Sequence, residues 1–178
     1  MSKTNNFVFW SLYVIAWLIF LGLSIETGGL FVNFFFSLYK PEVVANLYQK
    51  LDMMPIFKES KWAFFGLYSF LLEIGLLKVI LFYIIIVLMH KMDLKKPFSL
   101  FVSKQISRVS YFTLSIGFMG YIAKKITASL NYYGFSTHYL DQFWVDSQAF
   151  ILMGAVIYII ATIFKKGVDI QNENDLTV

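Results

Sequence analysis

The chain has no cysteine, which excludes disulfides, thiolate metal sites, cysteine nucleophiles and palmitoylation. Charge is scarce too. Only 15% of the 178 residues are Asp, Glu, Lys or Arg, against about 25% in an ordinary soluble domain. The sequence holds no nucleophile elbow, phosphate-binding glycine loop, HExxH pair or paired carboxylates at catalytic spacing. No catalytic residue is assigned, and neither an enzyme nor a cofactor is expected. No internal repeat is visible, nor the inverted symmetry of many small transporters.

Apolar surface is what the chain has in excess. Hydrophobic residues make up 58% of it, with 20 Phe and 11 Tyr. They gather in long runs without the polar face of a soluble helix, and a soluble core of this size cannot hide that much. The natural solvent is a bilayer. The net charge of +4 collects at the ends of these runs, where membrane orientation and anionic lipid account for it. Direct nucleic-acid binding is not expected.

Crossing a hydrocarbon core of about 30 Å takes about 20 helical residues. Four runs qualify, near 7–25, 62–89, 109–128 and 148–164. The first reads as an uncleaved span, because Ser24, Ile25, Glu26 and Thr27 offer no small-x-small cleavage site. The fourth is expected to stop at Lys165, Lys166 and Gly167. The expected fold is all-α: an integral membrane four-helix transmembrane bundle in a single domain. A short extracellular amphipathic helix is expected between the first two spans. It would start at Pro41 and carry Val43, Val44, Leu47 and Leu51 on one face.

Basic residues orient the bundle. The loop 90–108 holds His90, Lys91, Lys95, Lys96, Lys104 and Arg108 against Asp93 alone. By the positive-inside rule this loop, the tail 165–178 and both termini face the cytoplasm. Trp10, Trp62 and Trp144 fit interfacial belts, while Trp17 is placed mid-span and expected to pack.

Charges inside spans are the informative ones, since each costs about 3 kcal/mol or more at mid-membrane unless faced inward or paired. Glu73 and Lys78 are separated by roughly 140° around their helix, too far for a good pair. Counting about 1.5 Å per residue from the inner boundary puts Glu26, Glu73, Lys124, Asp146 and Gln148 at roughly 24–28 Å. The expected site is therefore an outer-level polar cluster of Glu26, Glu73, Lys78, Lys124, Lys125, Asp146 and Gln148. It reads either as structural ion pairs, as a ligand or ion pocket, or as a proton pathway. His138 and Asp141 are two ligand types on a loop and do not make a metal site. Gly117 and Gly120 either let helices approach or merely relax a Ser-rich span, since they lack small-xxx-small spacing.

On the cytoplasmic side, Pro97 breaks the helix and Ser99 can cap a new one, with Phe98, Phe101, Val102 and Ile106 forming an apolar stripe. The acidic tail carries Asp169, Glu173 and Asp175. Lys96-Pro97-Phe98-Ser99 followed by Ile106 and Arg108, together with the ending from Phe164-Lys165-Lys166-Gly167 to Val178, resembles a bacterial membrane family. That family is catalogued as domain of unknown function 2975, and its loop commonly reads Asn-Pro-Phe-Ser where Lys96 replaces the Asn here. The resemblance implies a four-helix bacterial inner-membrane protein without assigned activity, often encoded beside a small helix-turn-helix transcription regulator. The expected function is thus a non-enzymatic sensor or regulator. Its cytoplasmic partner, such as that regulator, would be held by Lys96, Pro97, Phe98, Ser99, Arg108, Glu173 and Asp175. The rivals are a small transporter or channel using the intramembrane charges, and an accessory subunit of a membrane complex. A homo-oligomer is open.

Overall fold

The computed structural model describes residues 3–46, 51–93, 97–144 and 146–175. Among these the chain is helical and contains no strand. Four long helices dominate: α1 (Lys3–Tyr39), α3 (Lys61–Lys91), α4 (Leu100–Tyr132) and α6 (Ser147–Asp175). Short helices α2 (Met54–Glu59) and α5 (Asp141–Trp144), with 3₁₀ turns at Pro41–Asn46 and His138–Leu140, fill the connections at one end. That end is called the cap end here, and the end holding residues 92–99 the loop end.

The long helices pack in chain order, α1 on α3, α3 on α4 and α4 on α6, the last pair most extensively. All neighbours are antiparallel. Tyr13 stacks near His90 while Phe34 meets Tyr68, and Ser110 donates to the Gly154 carbonyl. Among the described residues, three stretches are long and apolar enough to cross a membrane: Phe7–Tyr39, Lys61–Lys91 and His138–Glu173.

The helices outrun the apolar spans read from the sequence. α1 continues through Gly28 and Gly29 to Tyr39, so the aromatic stretch after those glycines is helix rather than connection. Glycine weakens a helix by only about 1 kcal/mol, and the apolar flanks supply the packing that offsets it. α4 begins at Leu100, with the Ser99 hydroxyl accepting from the Val102 N–H at 3.2 Å. The predicted loop 90–108 therefore shrinks to residues 92–99. α6 runs on through Lys165, Lys166 and Gly167 to Asp175, correcting the expected stop. Basic residues do not end a helix when its backbone hydrogen bonds can continue into water.

The segment after Pro41 is a 3₁₀ turn, not the continuous amphipathic helix expected; Leu47 lies outside the described residues. Its apolar face is nonetheless used. Val44, Leu51, Met53 and Ile56 are buried against Leu30, Phe64, Leu67 and Tyr68, so the connection caps the helices. Tyr68 ties this core together, donating its hydroxyl to the Leu30 carbonyl at 2.8 Å. Trp17, expected to pack, is 41% exposed.

Hydroxyl groups within the helices mostly turn back to their own backbone. Ser24 donates to Phe20, Ser107 to Ser103, Thr113 to Val109, and Thr127 to Ala123 and Lys124, at 2.7–3.1 Å. Such bonds let a polar side chain sit in apolar surroundings with its donor satisfied.

Candidate functional site

Near the cap end the four long helices line a polar chamber of about 200 Å³, open to the outside at the exposed Gln142 and Asp146. α1 contributes Glu26, α3 Ile74 and Lys78, α4 Ile116 and Gly120, and α6 Ser147 and Phe150. The connection into α6 adds Gln142, Phe143, Trp144 and Asp146. A smaller lobe of about 40 Å³ shares Glu26, Lys78 and Trp144 and reaches Thr27 and Gly75.

Small residues set the wall spacing. A Cβ on Gly75 would lie 2.9 Å from Thr27 Oγ1, so this glycine fixes how near α1 stands to α3. A Cβ on Gly120 would meet the Ser147 Cβ at 3.1 Å. One turn towards the loop end the approach is tighter still. A Cβ on Gly117 would lie 2.7 Å from the Ile151 backbone nitrogen, and one on Gly154 2.9 Å from that of Leu114. Of the two readings of the α4 glycines, the structure selects close approach. The pattern is wider than those two residues: Ser110, Thr113, Gly117, Gly120, Ala123 and Thr127 are all buried on one face. Thr113 and Gly117 do have the four-residue small spacing.

The chamber's polar groups are incompletely satisfied. Among the described residues no ion pair joins Lys78 to Glu26 or Asp146; the Lys78 ammonium instead stands 5.9 Å from the Phe150 ring centroid. Trp144 is 1% exposed and Ser147 4%, yet Trp144 Nε1 and Ser147 Oγ lack hydrogen-bond partners among the described residues. Each such buried group costs about 1–3 kcal/mol when left unpaired. Gln142 donates its amide to the Tyr139 carbonyl at 3.1 Å.

Of the predicted cluster, then, Glu26, Lys78 and Asp146 come together, and Glu73, Lys124, Lys125 and Gln148 do not line the chamber. Those four are exposed, as is Asp146 at the chamber mouth, whereas Glu26 and Lys78 are half-buried. Glu73 points away for the reason its spacing from Lys78 implied, and Lys125 lies 5.5 Å from the Tyr121 ring on its own helix. Depth along a helix was legible, but the rotation about its axis was not. Sequence reasoning missed Gln142, Trp144 and Ser147. Trp144, assigned to an interfacial belt, is a chamber wall.

At the loop end, Phe98 and Phe164 rings stand 5.1 Å apart, and a Cβ on Gly167 would come within 2.9 Å of Phe98 Cδ1. Pro97 and Ser99 flank this contact half-buried, Arg108 is exposed on α4 and Glu173 exposed on α6. Lys96 lies outside the described residues; the backbone of Asp175 ends α6. His138 sits at the cap end, its Nε2 3.1 Å from Asn131 Nδ2 and its Nδ1 3.8 Å from Asp141. No family model, curated protein or solved structure matches the chain.

Proposed function

We propose that the protein is a non-enzymatic, four-span sensor or regulator of the bacterial inner membrane, with both termini cytoplasmic. α4 is the fourth span. Between Arg108 and Lys124 its outward side chains are Tyr111, Phe118, Tyr121 and Ile122 with Ser115 among them, whereas Ser110 and Thr113 face its neighbours. That inside-out distribution is favourable in lipid and unfavourable in water. Membership in the family catalogued as domain of unknown function 2975 is part of the same reading, carried by Pro97-Phe98-Ser99 and the segment from Phe164.

The observation that carries the regulator is the α4–α6 seam. It starts at the chamber wall, where Gly120 meets Ser147, and ends at the loop end, where Phe98 covers Gly167. Closely packed backbones move as one body, so a change in the chamber reaches the α6 extension beyond Gly167. That extension carries Glu173 and Asp175 and is the surface offered to a cytoplasmic partner. A transporter is the second reading, favoured by the unpaired charges of Glu26, Lys78 and Asp146 in one chamber.

Purification of the full chain from mild detergent separates the two. A regulator brings down a DNA-binding partner that is lost when the exposed residues of 169–173 are replaced. Recovery of the chain alone, with solute flux abolished by Lys78→Met, would instead establish the transporter.

A further inference from the structure

The chamber lining carries charges of both signs. Glu26 and Asp146 bring carboxylates and Lys78 an ammonium, with no ion pair between them among the described residues. A guest that completes this lining carries an ammonium for the carboxylates and an anionic group for Lys78. A volume of about 200 Å³ holds roughly six or seven water-sized groups at about 30 Å³ each. That is the size of a small zwitterionic headgroup.

A second cavity describes the rest of the guest. An apolar groove of about 420 Å³ runs between α3, α4 and α6, lined by Leu81, Phe82, Ile85, Val109 and Ile157 among others. It shares Asp146 and Phe150 with the chamber, so the two adjoin at these residues. Thr113, its other polar liner, already donates its hydroxyl to the Val109 carbonyl at 2.7 Å. Ala149 and Met153 line the groove from the exposed side of α6, so it reaches the outer surface of the helices, where acyl chains lie. From Asp146 to Ile157 the chain rises about 16 Å, about half of a 30 Å hydrocarbon core. In the four-span reading the groove is about one leaflet long and begins at headgroup level.

We propose that chamber and groove together bind one phospholipid whose zwitterionic headgroup ends in a primary ammonium. The headgroup occupies the chamber and one acyl chain lies along the groove. A primary ammonium donates hydrogen bonds to Glu26 and Asp146, which a trimethylated one cannot do, and the phosphate meets the Lys78 ammonium. This rests on the membrane-spanning reading above and gives the sensor its input, the headgroup composition of the leaflet at the cap end.

The test is reconstitution of the full chain in phosphatidylglycerol nanodiscs with and without phosphatidylethanolamine, read by Tm and by native mass spectrometry. Phosphatidylethanolamine is expected to raise Tm by about 4 °C or more and to leave a retained lipid adduct. Phosphatidylcholine, and water-soluble phosphoethanolamine added to detergent-solubilised protein, are expected to give less than half that shift. Asp146→Asn and Lys78→Met remove it, whereas Lys58→Gln, on the surface of the cap, keeps it. Ala149→Trp fills the groove from an exposed position and is also expected to remove it, which keeps the test alive if the chamber variants do not fold. Equal stabilisation by phosphatidylcholine or by the soluble headgroup overturns the proposal, as does an adduct that survives Ala149→Trp. A chain that retains the lipid but captures no partner loses only the regulator; one that captures a partner without lipid preference loses only this site.

Discussion

Ser110 reaches across from α4 to α6 and donates its hydroxyl to the Gly154 carbonyl at 2.9 Å, fully buried. The bond requires the two backbones to lie close, and the glycine makes that approach available: a Cβ on Gly154 would meet the Leu114 nitrogen at 2.9 Å. Ser110→Ala is expected to lower stability by about 0.5–1.5 kcal/mol. Ser107→Ala, whose hydroxyl only returns to Ser103 on its own helix, should change it by a few tenths at most. Denaturant titration of both variants in the same micelle makes the comparison. Equal effects would mean that the interhelical bond contributes nothing.

Gly117→Ala tests the seam itself. The added methyl would sit 2.7 Å from a backbone nitrogen and 2.9 Å from the Ser147 carbonyl oxygen; neither is a side chain that can swing aside. Overpacking of this kind costs about 1–3 kcal/mol, which for a chain of this length lowers Tm by roughly 2–12 °C. Gly22→Ala, with open space around it, is the control and should stabilise slightly through helix propensity. A Gly117→Ala protein as stable as the control would show that α4 and α6 part without penalty.

Gly167→Leu drives a side chain into the space that the Phe98 ring fills. The expected result is exposure of the loop end, seen as faster protease cleavage within residues 92–99 while the cap-end core keeps its Tm contribution. Phe98→Ala should give the same cleavage pattern, since either change dissolves the same contact. If only one of them does, the ring and the glycine are not acting as a pair.

Tyr139 has its hydroxyl buried without a hydrogen-bond partner among the described residues. Removing a group in that state relieves its desolvation penalty, so Tyr139→Phe is expected to leave Tm unchanged or raise it by a degree or two. A fall of several degrees in a thermal melt would reveal a partner that the hydroxyl holds.

The number of long helices, their antiparallel order and the cap were legible because long apolar runs and turn residues announce themselves locally. Ser99 is an instance: a Ser beside Pro97 predicted a helix start, and the side chain accepts from Val102. Helix ends were less legible. The first span reads as ending near residue 25 and the fourth at Lys165, Lys166 and Gly167, yet packing of the flanking residues carried both helices through. The chamber was half visible. Rise per residue placed Glu26 and Asp146 near one level, with Lys78 about 7 Å nearer the loop end than Glu73, but only the neighbours decide which charges turn inward, and those neighbours are far apart in sequence. Glu73 faces out because Ile74 and Leu71 hold the inner face of α3. Trp144 and Ser147 were invisible as a site because their significance lies in partners that are missing, and no local pattern records that.

The distribution of side chains on α4 also bears on how the protein is made. In the four-span reading proposed above, α4 with its hydroxyl-bearing face still uncovered has little reason to leave water by itself and becomes compatible with hydrocarbon once α6 covers that face. The same reading has translocation machinery release the two as a hairpin, the later segment licensing the earlier. A nascent chain cut after Tyr132 is expected to insert α1 and α3 but leave α4 outside the bilayer. Glycosylation-site mapping of truncated chains would read this directly, and insertion of α4 in the absence of residues beyond 132 would refute it.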